Sequence, residues 1–247
     1  MPALNVLTLN AHMGFSTSRR RFVLPALREA IRGVSADLVF LQEVLGAHAH
    51  HARRHADWPA EPQYEFLADT IWAQHAYGRN AAYPHGHHGN ALLSKFPILL
   101  QRNHDVSVQG HEQRGLLHCV LDVPGSSGEL HAVCVHLGLR EAHRRRQLCL
   151  LCDLLRDGIP AAAPVIVAGD FNDWRMRGHG LVEACGLVEA FIASNGRPAR
   201  TFPSRHPLLT LDRIYLRGAR ASDPRVLKAR PWSRLSDHAP LLARVEW

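Results

Sequence analysis

The chain has 247 residues, of which 46% are hydrophobic and 21% charged, an ordinary globular composition that excludes a low-complexity or linker-rich polypeptide. A formal charge of +7 and a pI near 9.6 suit an anionic partner: nucleic acid, an anionic membrane surface touched peripherally, or a phosphorylated metabolite. A single domain over residues 1–247 is expected, and the longest apolar runs fall far short of the roughly 20 residues that a membrane-spanning helix needs.

Residues 4–9 read as a first strand, entered directly from Met1-Pro2-Ala3 without the pattern of an export signal. Leu24, Leu27, Ile31 and Val34 then recur at helical spacing. Pro25 is tolerated only in the first turn, so this helix runs from near Leu24 to about Gly33. Leu38-Val39-Phe40-Leu41 is the next strand, and the β-α-β spacing suits a crossover between parallel strands. Residues 90–93, 98–108 and 115–123 read as consecutive antiparallel strands, divided by Lys95-Phe96-Pro97 and by a loop containing Gly110.

A second β-α-β follows, with strands at 130–135 and 165–168 around a helix at 141–156 that Gly158 stops. Leu148, Leu151 and Leu155 give that helix its packing face. A short helical segment near 181–185 and strands at 211–216 and 239–245 complete the pattern. Two similar halves point to two packed sheets with helices outside.

Polar residues close each core strand: Asn10, Glu43, His136, then Asp170 with Asn172. Ligands of open α/β sheets bind beyond the carboxyl ends of parallel strands, so these residues can meet although they are far apart in sequence. Glu43 suits a hard cation, and alone it would equally serve as a capping or salt-bridging group. An Asx turn accounts for one residue of Gly169-Asp170-Phe171-Asn172-Asp173 but not for polar ends on every other core strand. Asp212 could orient His238 and favour its imidazolium, a donor to a phosphoryl oxygen.

Leu41-Gln42-Glu43-Val44, Gly169-Asp170-Phe171-Asn172 and Ser236-Asp237-His238, in this order, resemble the endonuclease/exonuclease/phosphatase superfamily. Thr8-Leu9-Asn10, Gly89-Asn90-Ala91-Leu92-Leu93-Ser94, Val135-His136-Leu137 and Leu211-Asp212-Arg213-Ile214-Tyr215 are similar to its pattern too, so the resemblance spans nearly the whole chain. It implies a four-layer α/β sandwich, two packed mixed β-sheets flanked by helices, and metal-dependent hydrolysis of phosphate esters. By the same resemblance Glu43 would hold Mg²⁺ or Mn²⁺, with Asn10 and Asp237 beside it as ligands or outer groups. Asp170 would activate water, Asn172 would position the water or the phosphate, and His136 and His238 would contact phosphoryl oxygens, with Asp212 supporting His238. Asp170 and His238 both remain open as general base, and Asp170 is preferred. A small-molecule or lipid-headgroup phosphodiesterase or phosphatase is the first reading, and a DNA or RNA nuclease with the same core is the second. A binding protein without catalysis would be expected to have lost one of these groups, and none is missing. No oligomeric state is implied.

Five cysteines without framework spacing fit reduced thiols in a cytoplasmic protein, and Cys149-x-x-Cys152 lies in an apolar helical stretch with no second pair to make a zinc site. His48, His50, His51 and His55, with His85, His87 and His88, raise a transition-metal site as an alternative to a flexible rim near the phosphate. Trp58, Trp72, Tyr77 and Tyr83 form either one wall of a selective pocket or packing at the sandwich edge. Arg114, Arg140 and Arg144 stay outside the catalytic set. The runs Arg19-Arg20-Arg21 and Arg144-Arg145-Arg146 read as solvated helix faces or phosphate contacts.

Overall fold

The computed structural model describes residues 2–18, 21–108 and 112–247; Met1, Arg19 and Arg20 of the first basic run, and Gly110 lie outside the described residues. In chain order, β1 (Ala3–Asn10) passes through a short turn of helix at His12–Gly14 into α1 (Leu24–Gly33) and β2 (Leu38–His48). Two short helices, α2 (Ala49–Arg54) and α3 (Gln63–Ala68), precede β3 (Gln74–Tyr83) and β4 (Gly86–Ser94). The second half begins with β5 (Ile98–Asp105), β6 (Gly115–Leu121), β7 (Leu130–His136), α4 (Glu141–Asp157) and β8 (Val165–Asp170). After these come α5 (His179–Ala184), β9 (Val188–Glu189), α6 (Ala190–Asn195), β10 (Asp212–Arg217), β11 (Arg220–Val226) and β12 (Leu241–Glu246).

The strands form two six-stranded mixed sheets, in the orders β11-β12-β1-β2-β4-β3 and β5-β6-β7-β8-β10-β9. Each has one parallel pair near its middle, β1 with β2 and β7 with β8, and these are the two β-α-β units read from the sequence. Their strands are continuous apolar runs because both faces are covered. Along β2, Leu38 and Phe40 point into the cluster between the sheets, while Val39 and Leu41 pack under α1 with Leu24, Leu27 and Ile31. Along β7, Leu130, Ala132 and Cys134 face the other sheet, while Val133 and Val135 meet Leu148, Leu151 and Leu155 of α4. Three apolar clusters between four layers are thus the period-two alternation of these strands made physical. Phe40 lies fully buried at the central interface, where truncation to alanine would cost about 3–5 kcal/mol.

Three readings are corrected. The segments 90–93 and 98–108 are not neighbours in one sheet: the chain crosses at Lys95-Phe96-Pro97 from β4 in the first sheet to β5 in the second, while β5, β6 and β7 do run antiparallel. The second strand does not stop before Glu43. It continues to His48 through a bulge, where the pairing of Leu41 with Ala91 resumes at Val44 with Gly89 and Glu43 takes φ +54. Finally, Cys152 and Cys185 form a disulfide, against the expectation of five reduced thiols. The two cysteines are 33 residues apart, and packing of α4 beside α5 brings their Cα atoms to 5.7 Å, a contact that no spacing rule displays. Cys119, Cys134 and Cys149 are free. Among the described residues, no helix is long and apolar enough to cross a membrane.

Candidate functional site

Both parallel pairs end at the same rim of the sandwich. Asn10 closes β1, His136 closes β7 and Asp170 closes β8. β10 runs antiparallel to β8, so it begins where β8 ends, with Asp212 registered opposite Asp170. The segment before β12 reaches the rim for the same reason, since β12 runs antiparallel to β1, and it brings Asp237 and His238. The bulge in β2 turns Glu43 toward the rim. All eight residues singled out from the sequence therefore lie at one end of the fold.

Asp170 is the hub. Its Oδ1 accepts from the backbone N–H of Asn172 at 2.9 Å, and Asn172 adopts φ +51 to make that tight turn. Its Oδ2 accepts from Nδ2 of Asn10 at 3.3 Å and stands 3.6 Å from Nε2 of His136 and 3.8 Å from Nε2 of His238. Gly169 before it has φ +147, and a Cβ there would lie 2.0 Å from the Val135 carbonyl oxygen, so a side chain would force β7 and β8 apart beneath the carboxylate. Asn172 donates through Nδ2 to the Leu137 carbonyl at 2.9 Å, which ties the turn to the end of β7.

Asn10 also donates through Nδ2 to Glu43 Oε1 at 3.3 Å, so one amide stands between two carboxylates where a cation would otherwise balance them. Its Oδ1 accepts from the His12 N–H at 3.0 Å. Glu43 Oε2 is buried and receives no hydrogen bond from the described residues. Asp237 is partly open to solvent, with Oδ1 3.4 Å from Ser236 Oγ and 3.6 Å from His12 Nδ1. Ser236, named in the sequence only as a flank, donates to the Asn10 carbonyl at 2.6 Å and accepts from the His238 N–H, pinning the two sides of the rim together.

Behind the hub, Asp212 Oδ2 lies 2.8 Å from Nδ1 of His238, and its Oδ1 is a second buried oxygen that receives no hydrogen bond from the described residues. Burial pushes the Asp170 carboxyl up to about 6; the His238 charge opposes this and the Asp212 carboxylate adds to it. Burial alone would lower His238, but the Asp212 and Asp170 carboxylates outweigh it and raise the imidazole to about 10. His136 is driven well below the usual histidine range by burial, with the cations of Arg114 and His238 adding to the effect. At neutral pH the rim thus carries an imidazolium at His238, a neutral imidazole at His136, and an Asp170 more basic than a free aspartate.

Two groups of oxygens suit a metal. Asp170, Asp212 and His238 bring ligand atoms within 4.8 Å of one another, a grouping in which a cation could be held. Both ring nitrogens of His238, however, already face carboxylates, so its imidazolium acts there as the positive partner. The unpartnered Glu43 Oε2, with Asp170 and Asp237 on the same rim, is the better fit for a hard cation. The histidines at 48–55 and 85–88 do not converge three ligand atoms among the described residues, and their rings stack, His50 on His85 at 3.8 Å.

Some contributors were missed or placed elsewhere by the sequence. Residues 86–88 are part of β4 rather than a flexible rim, and His88 is half-buried with Glu43, Arg114 and His87 acting on its charge. Arg114 donates through Nε to the Leu137 carbonyl, next to His136. Arg144 is buried: it donates to the Gly138 and Leu139 carbonyls while Gln147 accepts from the Gly138 N–H, so α4 fixes the loop after His136. Asn90 donates to the Gly115 and Cys134 carbonyls, a polar tie between the sheets just under the site. Residues 90–93 read as a strand from the sequence, but nothing in them marked the tie.

The family model described as Endonuclease/Exonuclease/phosphatase family matches residues 7–238. The uncharacterized protein YbhP of Escherichia coli (strain K12) is 54% identical over 244 residues, covering 98% of this chain and 96% of that protein. Among solved structures, an endonuclease/exonuclease/phosphatase from Beutenbergia cavernae is similar with a TM-score of 0.77 at 21% identity, over 100% of this chain and 72% of that one. TDP2 from D. rerio, complexed with a single strand DNA product, is similar with a TM-score of 0.71 at 16% identity, over the full length of both chains.

Proposed function

Since the chain belongs to the endonuclease/exonuclease/phosphatase family, we propose that it is a divalent-metal-dependent hydrolase of phosphate esters, a phosphodiesterase or phosphatase acting on a small-molecule or lipid-headgroup substrate. The observation that carries this reading is the convergence of a basic Asp170, an imidazolium at His238 and an unpartnered Glu43 oxygen on one rim. A Mg²⁺ or Mn²⁺ ion held by Glu43, with Asn10 and Asp237 beside it, would neutralise phosphate charge and lower the pKa of a bound water.

The chain's own groups supply the rest. Asp170, ionised above about pH 6, accepts the proton of the attacking water, and its basicity lies where general-base catalysis is efficient. Asn172, anchored at Leu137, orients that water or a phosphate oxygen. His238 donates from its imidazolium to a phosphoryl oxygen as charge develops, and Asp212 holds it charged and in place. His136, neutral beside Asp170, donates a hydrogen bond to a second phosphoryl oxygen without adding charge. His238 is the poorer choice of base because at neutral pH it already carries its proton.

The test is hydrolysis of a chromogenic phosphodiester and monoester, phospholipids, and plasmid and single-stranded nucleic acids, with Mg²⁺, Mn²⁺ or EDTA, by the wild type and Asp170→Asn. Metal-dependent cleavage lost in the variant is the expected result, and cleavage that persists in EDTA or in Asp170→Asn would overturn the assignment. A nuclease with the same core is the second reading, favoured by the +7 charge and by the likeness to TDP2, which was crystallised with its DNA product. It predicts a rate that falls steeply with salt as phosphate contacts release counterions.

A further inference from the structure

We propose that the cavity beside Asn10 and Asp237 is a subsite for one aromatic ring carried by the scissile phosphate, an aryl group or a pyrimidine base. The inference rests on the phosphoesterase reading and names the substrate class of the same site. The cavity has a volume of about 150 Å³ and is lined by His12, Met13, Phe15 and His51. Its position links it to the chemistry: the His12 N–H donates to Asn10 Oδ1, and its Nδ1 is 3.6 Å from Asp237 Oδ1.

Size selects the occupant. An apolar cavity of about 150 Å³ is enough to take up benzene, whereas pockets for larger ligands run from about 300 Å³ upward. A single six-membered ring fits such a volume. Two of the lining side chains are aromatic rings backed by further rings. Phe15 and His51 are 4.9 Å apart between ring centres, His51 stacks on Trp58 at 5.4 Å, and Trp58 stacks on Phe22 at 4.9 Å. A guest ring lying against the cavity-facing edges of Phe15 and His51 gains both area burial and offset or edge-on aromatic contact. Burial and the neighbouring His48 lower His51 to about 4, so this ring is uncharged at neutral pH and suits an aromatic guest better than an anion.

The floor of the cavity is held in an uncommon backbone conformation. His12, Met13 and Gly14 take φ +47, +54 and +79, three left-handed residues in a row, two of which are not glycine. Such backbone persists only when the surroundings over-determine it, and it concentrates at functional sites. Here the restraint is Gln63, fully buried on α3, which donates to the Met13 carbonyl at 2.9 Å and accepts from the Leu45 N–H of β2 at 3.0 Å. At Gly14 a Cβ would meet that same Gln63 amide at 3.0 Å. The turn that shapes the cavity is thereby clamped to the strand that carries Glu43, so cavity and rim keep a fixed relation. Trp58 stacks behind His51 without lining the cavity, while Trp72, which the sequence grouped with it, is buried elsewhere and bonded to the Ala36 carbonyl.

The experiment compares binding of methylphosphonate, phenylphosphonate and thymidine 5′-methylenephosphonate by calorimetry in Mg²⁺, alongside phosphate release from methyl phosphate and phenyl phosphate. The wild type is expected to bind phenylphosphonate at least ten-fold more tightly than methylphosphonate. The thymidine arm decides between an aryl group and a base as the natural ring. Filling the cavity with His51→Trp should bring the phenyl-to-methyl ratio close to one, whereas His50→Ala, on the same helix but outside the cavity, should leave it as in the wild type. A wild-type ratio near one, or a ratio untouched by His51→Trp in a protein with native circular dichroism, overturns the subsite. Phenyl preference with no hydrolysis of any ester would support the subsite and overturn the catalytic reading instead.

Discussion

Replacing Asp212 by asparagine isolates the electrostatic part of the proposed mechanism. The amide oxygen introduced by Asp212→Asn can still accept from Nδ1 of His238 across the present 2.8 Å contact, so the ring keeps its place while losing a buried counter-charge. His238 rises to about 10 although burial opposes it, and Asp212 is the foremost group raising it. Removing one partner of a buried pair costs about 3–5 kcal/mol; because the amide keeps the hydrogen bond the lower part of that range applies, about 3–4 kcal/mol, which corresponds to a fall of roughly 2–3 pKa units. The imidazolium would then titrate at roughly 7–8. At pH 9 its fraction drops from about nine-tenths to about 3%, a roughly 30-fold loss of kcat/KM, while at pH 6.5 the loss is slight. The acid limb moves too. Asp212 helps to raise Asp170, so without it the Asp170 carboxyl titrates lower and activity survives further into acid. The signs follow from the roles: the basic limb is loss of the His238 proton as pH rises, and the acid limb is protonation of Asp170 as pH falls. Profiles of kcat/KM from pH 5 to 10.5 on a chromogenic diester, at saturating Mg²⁺, would show wild-type limbs near 6 and 10 and a variant bell displaced bodily toward acid. A basic limb that stays above about pH 9 in Asp212→Asn refutes the claim that Asp212 sustains the imidazolium.

Asp170→Asn should abolish turnover yet raise stability at pH 8, because the wild-type carboxylate is ionised there at a burial cost of about 3 kcal/mol. A gain of roughly 6–12 °C in Tm is expected at pH 8. It should vanish below about pH 3, where wild-type Asp170 is protonated in folded and unfolded chains alike, and a gain that persists there would point to another cause. Glu43→Gln should shift the Mg²⁺ dependence of activity and the calorimetric Mg²⁺ affinity by about ten-fold or more, with an unchanged titration removing Glu43 from the metal. Denatured without reductant, the chain should yield three titratable thiols, since Cys152 and Cys185 are joined; reduction should then lower stability by roughly 3–4 kcal/mol for a loop of this length. Five titratable thiols would exclude the link.

Legibility in the sequence tracked burial. α1 emerged over the same residues because Pro25 fixes its first turn and Leu24, Leu27 and Ile31 keep helical spacing. The strands of the two β-α-β units stood out because covered faces on both sides require unbroken apolar runs. β3 and β11, at the edges of the first sheet, went unseen: Gln74–Tyr83 mixes polar and small residues, and Pro224 interrupts Arg220–Val226 at a bulge where an edge strand can tolerate it. The catalytic candidates were legible because they stand as polar stops after apolar runs. Glu43 was found for the wrong local reason, since the strand does not end there but bulges. His88 and Arg114 were noticed but left outside the catalytic set and Ser236 was read only as a flank, because none of them stands as a polar stop after an apolar strand. The disulfide had no linear signal at all.

A cluster of buried ionisable groups at one rim is costly unless each charge is answered, and here the answers are asymmetric. His238 has two carboxylates and is held protonated; Asp170 shares that one cation with Asp212 and is left more basic than in water. These are two consequences of one arrangement, in which the protein supplies fewer positive charges than negative ones at the hub. Asn10 reinforces the point, because the group that spans Glu43 and Asp170 is an amide with no net charge. The deficit shows at Glu43 Oε2 and at Asp212 Oδ1, buried oxygens that receive no donor from the described residues. A rim made wholly self-sufficient in charge would be more stable, but it would have neither a raised base nor a place for a cation. The instability expected of wild-type Asp170 at alkaline pH and the proposed need for Mg²⁺ therefore have a common origin, and relief of the first by Asp170→Asn should be accompanied by weaker calorimetric binding of Mg²⁺. Undiminished Mg²⁺ affinity in that variant would separate the two and place the cation's site away from the hub.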